Sequence, residues 1–140
     1  MPEQYIVANL GLLRCGFDAR SATEALPLSR VARVPFSPRF IHGVMNHQGR
    51  LLTLVNLSRF FDLEDGEAPR IALVVDRQEL SLGFCAVDVQ VVEQRDVVRI
   101  PQVKPYLRNQ SWITESLSTP NFEFQHLDLQ RIIDSIEESL

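Results

Sequence analysis

Only one stretch of this chain has the period of a helix. Leu129, Ile132, Ile133 and Ile136 fall at i, i+3, i+4 and i+7, an apolar stripe on one face, and Asp128 stands where a side-chain oxygen can cap the first turn. Everything before it is cut into short apolar runs by glycine, proline, asparagine and acidic residues. Short strands at regular spacing, with one helix at the end, predict small β-barrels rather than a parallel α/β sheet.

Gln4 to Phe17, interrupted by Asn9, Gly11 and Gly16, predicts two strands and a turn. Asp18 is placed to cap one or two helical turns over Ala19 to Leu26, stopped by Pro27. Leu28 to Val34 reads as a loop or edge strand, and Pro35 and Pro38 enforce an extended path around Phe36 and Ser37. Phe40 to Met45 reads as a brief helical turn before Asn46, Gly49 as a turn, Arg50 to Leu57 as a buried strand, and Leu57 to Leu63 as a short helix. The acidic loop Glu64 to Glu67, followed by Pro69, is expected to mark where two halves of a single 1–140 domain meet, near 64–69. Beyond it the pattern predicts a strand over Arg70 to Asp76, a polar turn over Arg77 to Glu79, and a strand over Ser81 to Val89 broken by Gly83. Val91 to Glu93 and Val97 to Ile100 lead into further strands, Pro101 and Pro105 mark a loop, and Trp112 to Leu117 and Phe122 to Leu127 complete the series.

A chain of 140 residues with 45% hydrophobic and 23% charged residues has an ordinary globular composition, long enough for one domain or for two small barrels sharing a core. Its formal net charge is −4 and its arginines stand singly, so a nucleic-acid partner is not expected. The longest apolar runs, such as Ile71 to Val75, fall far short of the roughly 20 residues of a membrane-spanning helix. The Met-Pro-Glu-Gln-Tyr start lacks the features of a signal peptide, which predicts a cytoplasmic location without membrane insertion.

Chemistry-bearing residues do not assemble into a motif. Cys15 and Cys85 are flanked by Leu13, Phe17, Phe84 and Ala86, the setting of buried reduced thiols rather than of thiolates. His42 and His47 are five apart across a turn with no cysteine or carboxylate at ligand spacing, and His126 is distant, so no metal or cofactor is expected. Ser21, Ser37 and Ser58 lie outside any nucleophile elbow, and Gly11 and Gly16 do not make a phosphate loop. Glu93, Arg95 and Asp96 read as a solvated face. The one arrangement worth weighing for catalysis is His47 with Glu24, which requires a pocket that holds both within hydrogen-bond distance and leaves room for substrate. Phe40, Phe60 and Phe61 are expected in the core, with Phe36, between two prolines, a candidate exposed anchor.

The segment Val34 to Leu63, VPFSPRFIHGVMNHQGRLLTLVNLSRFFDL, carries a more specific pattern: Pro35 and Pro38 in a loop, Gly43, Asn46 and Gly49 around a turn, then a strand over Leu51 to Leu57 and a short helix. This resembles the central signature of the CheW family of small adaptors. Glu24, and Gly83 with Phe84, extend the resemblance to both sides. It implies a mostly β fold of two SH3-like five-stranded barrels around a shared core with a C-terminal helix. It further implies a non-enzymatic scaffold without cofactors, coupling a chemoreceptor cytoplasmic tip to a CheA-type histidine kinase at membrane-associated arrays. The partner surface is then expected at Glu24, Phe36, Asn46, His47, Gln48 and Arg50. Three departures bear on partner choice. Gln48 stands where the family commonly has an arginine that pairs with the upstream acid, which leaves Glu24 and Gln48 a hydrogen bond at most; Asn56 stands for an aspartate; and Asp88 is one residue from its expected place. They motivate an alternative in which the scaffold serves other clients in another sensory system, or a self-associated state.

Overall fold

Strand alternation sorts the apolar side chains into three cores. In the computed structural model, which describes residues 2–77, 80–101, 107 and 110–140, Leu73 and Val75 of one strand join a large central cluster while Ala72 and Val74, pointing the other way, join a smaller one. The strands are β1 (Gln4–Asn9), β2 (Arg14–Asp18), β3 (Glu24–Pro27), β4 (Ile41–His47), β5 (Arg50–Val55), β6 (Ile71–Arg77), β7 (Leu80–Ala86), β8 (Asp88–Glu93), β9 (Val98–Ile100), β10 (Ile113–Ser118) and β11 (Glu123–Leu127). Two α-helices, α1 (Leu57–Phe60) and α2 (Leu129–Ser139), and two 3-10 turns, Ala19–Ser21 and Gln94–Asp96, complete the described elements. Residues 78–79 of the expected polar turn and Pro105 of the expected loop lie outside the described residues.

The strands form a six-stranded sheet, ordered β8-β1-β2-β11-β10-β9, and a five-stranded sheet, ordered β3-β6-β7-β5-β4. Each curls on itself. In the first, the outer strands β8 and β9 are joined through a single 3-10 turn, Gln94–Asp96. In the second, Glu24 on β3 and His47 on β4 belong to opposite edges yet lie 3.2 Å apart. Tyr5, Val7, Val92, Leu117 and Phe124 fill the first curl, and Met45, Leu52, Leu54, Ala72, Val74 and Cys85 the second. Between the two sheets, Phe17, Leu73, Leu82 and Phe84 pack with Ile132, Ile133 and Ile136 of α2 in the shared core. The Asp128 carboxylate accepts from the Arg131 backbone N–H at 3.2 Å, so helix, cap and stripe are as the periodicity predicts.

Four expectations are corrected. Ala19 to Leu26 is not helical beyond one 3-10 turn at Ala19–Ser21; Glu24–Pro27 is a strand on β6, and proline is tolerated there because β3 is an edge that loses no ladder bond. Phe40 to Met45 is not a helical turn but most of β4, paired along β5 with a register shift between Ile41 and Gly43. Pro35 and Pro38 flank a turn, not an extended path: Phe36 has φ +59° and the Ser37 hydroxyl donates to the Val34 carbonyl at 2.7 Å. Gly83 does not break its strand, which runs unbroken over β7; it faces the inside of the five-stranded curl, where an added Cβ would come within 2.9 Å of a Leu54 methyl. The 64–69 loop joins α1 to β6. The chain changes sheets elsewhere, between Asp18 and Glu24 and again between Ala86 and Asp88.

Candidate partner-binding site

The β4–β5 hairpin closes through a two-residue loop. His47 and Arg50 are register partners, and Gln48 (φ +52°) and Gly49 (φ +81°) both take positive φ, the geometry whose twist matches the flanking strands. The Asn46 side-chain oxygen accepts from the Gly49 backbone N–H at 3.1 Å, pinning the loop from one side. Arg50 on the other side is held across the sheet. Its guanidinium donates to the Asp76 carboxylate at 3.2 Å and to the Ser81 hydroxyl, and Ser81 donates to the same Asp76 oxygen at 2.7 Å.

Five of the six expected site residues therefore gather at one end of the five-stranded sheet: Glu24, Asn46, His47, Gln48 and Arg50. No hydrogen bond joins Glu24 to Gln48 among the described residues; Glu24 meets His47 instead. The His47 Nε2 lies 3.2 Å from Glu24 Oε1 but off the line of a hydrogen bond, so the contact attracts only when the ring is protonated. The cavity that these two line with Arg50, Leu52, Val74, Asp76 and Ser81 measures about 20 Å³. That is space for about one water, and the substrate room that a His47–Glu24 hydrolase requires is missing from it. Phe36 stands apart on the 28–40 loop, fully exposed.

Sequence reasoning missed Asp76 and Ser81, which set the position of Arg50. They are register partners on β6 and β7, distant from Arg50 in the chain, and no local pattern marks them. The Asn56 departure proves conservative, because the Asn56 side-chain oxygen caps α1 by accepting from the Arg59 N–H at 3.1 Å, a role either Asn or Asp fills. Asp88 accepts from the Asn9 amide at 3.1 Å across the β1–β8 pair. Phe61 is buried, while Phe40, Phe60 and Trp112 form a half-buried edge-to-face ring cluster beside it.

The two cysteines are buried, and the other two histidines are half-buried. Cys15 and Cys85 are both buried free thiols; desolvation pushes Cys15 strongly up and Cys85 up to about 12. His42 and His126 titrate below the ordinary histidine range, in each case first because burial disfavours the charged ring. The Arg59 and Arg33 charges add to this at His42, whereas Glu115, Asp128 and Asp18 oppose it at His126. The unfolded chain, whose histidines titrate near 6.5, then binds protons that the fold refuses, so this contribution to stability is complete above 6.5 and is lost as the pH falls below it. The guanidinium unfolding midpoint is expected to drop between roughly pH 7.5 and pH 5.5, and to drop less in a His42→Gln/His126→Gln double variant. Equal drops in the two proteins would contradict this account.

Known proteins share this architecture. The chain is 37% identical over 78 residues to Protein FrzA of Myxococcus xanthus, covering 53% of this chain and 48% of that protein. It is 29% identical over 69 residues to Chemotaxis protein CheW of Thermotoga maritima, covering 49% and 46% respectively. The chain spans about half the length of the curated relatives it matches. Its fold superposes with a TM-score of 0.77 on the scaffolding protein TtCheW from Thermoanaerobacter tengcongensis, over 100% of this chain and 98% of that one at 17% identity. The profile of the CheW-like domain matches residues 4–137, and with the signature turn closed by Asn46, Gln48 and Gly49 in place, the chain belongs to the CheW-like domain family.

Proposed function

We propose that this chain is a non-enzymatic adaptor in chemotaxis-type signalling, coupling the cytoplasmic tip of a chemoreceptor to a CheA-type histidine kinase at receptor arrays in the cytoplasm. The observation that carries this reading is the family match over residues 4–137, joined to an exposed turn whose backbone is fixed by its own side chains. Asn46 and Arg50 hold the turn rigid, so a partner binds it with little ordering cost. Glu24, His47, Gln48 and Arg50 form its polar surface, and Phe36 supplies an apolar contact on a neighbouring loop.

A second reading, that the scaffold has kept its fold and changed clients, is favoured by one observation. Where the family commonly pairs an arginine with the upstream acid, this surface pairs Glu24 with His47 and leaves Gln48 uncharged. The test is a pull-down of the purified chain from membrane and soluble extract of its own cell, beside a Gln48→Arg variant. Gln48 already holds positive φ, and arginine is no more hindered there, so the variant should fold. Recovery of a CheA-type kinase or a chemoreceptor is the expected result; recovery of neither, with other proteins in their place, overturns the coupling role. A roughly tenfold gain of the variant for a conventional CheA-type kinase, about 1.4 kcal/mol, would support changed clients, and no gain counts against them.

A further inference from the structure

The arginines stand singly in the sequence, but from Ala25 to Phe61 the chain holds five of them (Arg30, Arg33, Arg39, Arg50 and Arg59) and none of its 18 acidic residues. Arg50 is committed to Asp76 and Arg59 to Asp65, whose carboxylate it binds through two 2.9 Å hydrogen bonds. Arg39 makes a 3.7 Å contact with the exposed Asp62 and acts on the Asp65 carboxylate from farther away. Among the described residues, Arg30 and Arg33 have no acidic partner.

These cations sit on a loop that is built rather than loose. Ala32 and Val44 exchange both backbone hydrogen bonds, at 2.9 and 2.8 Å; the Ser29 N–H donates to the Met45 sulfur at 3.3 Å; and the Ile41 N–H donates to the Pro38 carbonyl at 3.0 Å. Arg30 (φ +50°) and Phe36 (φ +59°) are held in a backbone region that non-glycine residues seldom adopt, and both side chains are exposed. A groove of about 440 Å³ opens against the same loop, with Val31, Val34 and Ile41 as aliphatic lining and Arg33, His42 and Arg59 around them, while Arg30 and Phe36 stand on the loop outside that lining. It shares no residue with the cavity at the β4–β5 turn.

We propose that the 28–40 loop and this groove form a second docking surface, which takes an acidic segment bearing bulky aliphatic side chains from a partner protein. The proposal rests on the adaptor reading and adds the chemistry of one partner. Arg30 and Arg33 meet the carboxylates, the aliphatic lining takes an apolar side chain, and Phe36 covers it from the loop tip. A nucleic acid fits less well: one aromatic ring offers no stacking platform, half of the lining residues are aliphatic, and the chain carries a net charge of −4.

The test uses the full chain and a fluorescein-labelled peptide of alternating glutamate and leucine, read by anisotropy, with an alternating lysine and leucine peptide as the control. Saturable binding of the acidic peptide alone is expected, falling as salt rises, at least about tenfold weaker in Arg30→Glu/Arg33→Glu and in Phe36→Ala, and unchanged in Gln48→Arg. The altered side chains are all exposed, and circular dichroism verifies that each variant is folded. Binding that is absent, that survives both variants, or that a random single-stranded oligonucleotide displaces as readily as the unlabelled peptide overturns the proposal. The two readings fail separately. A chain that recovers kinase or receptor but ignores the peptide keeps the adaptor role without this surface, whereas one that binds the peptide and recovers neither keeps the surface and loses the coupling role.

Discussion

Truncating Phe84 to alanine is expected to remove about 3–5 kcal/mol of stability, a large share of the roughly 5–15 kcal/mol that a domain of this kind has in total. Phe84 is wholly buried on β7, edge-to-face with Phe17 of the other sheet at 6.4 Å between ring centroids. Its removal leaves a cavity where the two sheets and α2 meet, and the neighbours are held by three different elements and cannot all move in to fill it. Denaturant unfolding with tryptophan emission measures the loss, and Phe36→Ala provides the exposed comparison, expected within about 0.5 kcal/mol of the parent. A loss below about 1.5 kcal/mol for Phe84→Ala would mean that the sheets do not share a core.

Gly43→Ala is the second large effect, expected at about 3 kcal/mol. Gly43 has φ +155°, and a Cβ there would stand 2.5 Å from the Ala32 carbonyl oxygen and 2.7 Å from a Val31 methyl. Relief requires the loop to withdraw from β4, which breaks the paired bonds between Ala32 and Val44. Gly49→Ala separates space from conformation, because Gly49 also has positive φ (+81°) but nothing within 4 Å of the added carbon. It is expected to cost only about 1 kcal/mol. Hydrogen exchange at the Ala32 and Val44 amides should accelerate in Gly43→Ala and not in Gly49→Ala. Equal costs and unchanged exchange would remove the close approach of the loop to β4.

These two glycines also explain where the sequence could be read and where it could not. The stripe of α2 is visible because all four inward positions are apolar and evenly spaced, and the turn at Asn46 and Gly49 is visible because its residue types are those the geometry demands. In β4 the inward positions are Ile41, Gly43 and Met45. Glycine in the middle place erases the alternation, and the remaining apolar residues imitate a helical turn. Gly83 disguises β7 in the same way, since the interior of a tightly curled sheet has no room for a side chain at that point. The candidate site divides along a similar line. Asn46, Gln48 and Arg50 are neighbours in sequence and were legible together, whereas the approach of Glu24 to His47 follows from sheet curvature, and the hold of Asp76 and Ser81 on Arg50 from strand register. Neither has a local signature.

The strand order has a consequence for how the molecule is made. Hairpin β1–β2 is synthesised ahead of both its flanking partners, β8 and β11, the latter in parallel pairing, and the whole five-stranded sheet is made in between. Until Leu127 has emerged, one side of β2 offers an unpaired backbone edge next to Cys15 and Phe17, which are later covered. The intervening five-stranded sheet, β3 to β7, finds all its partners within residues 24–86 and can assemble while synthesis continues. Nascent chains arrested before β11 should therefore be a preferred client of holding chaperones, and crowded translation would favour aggregation of this chain.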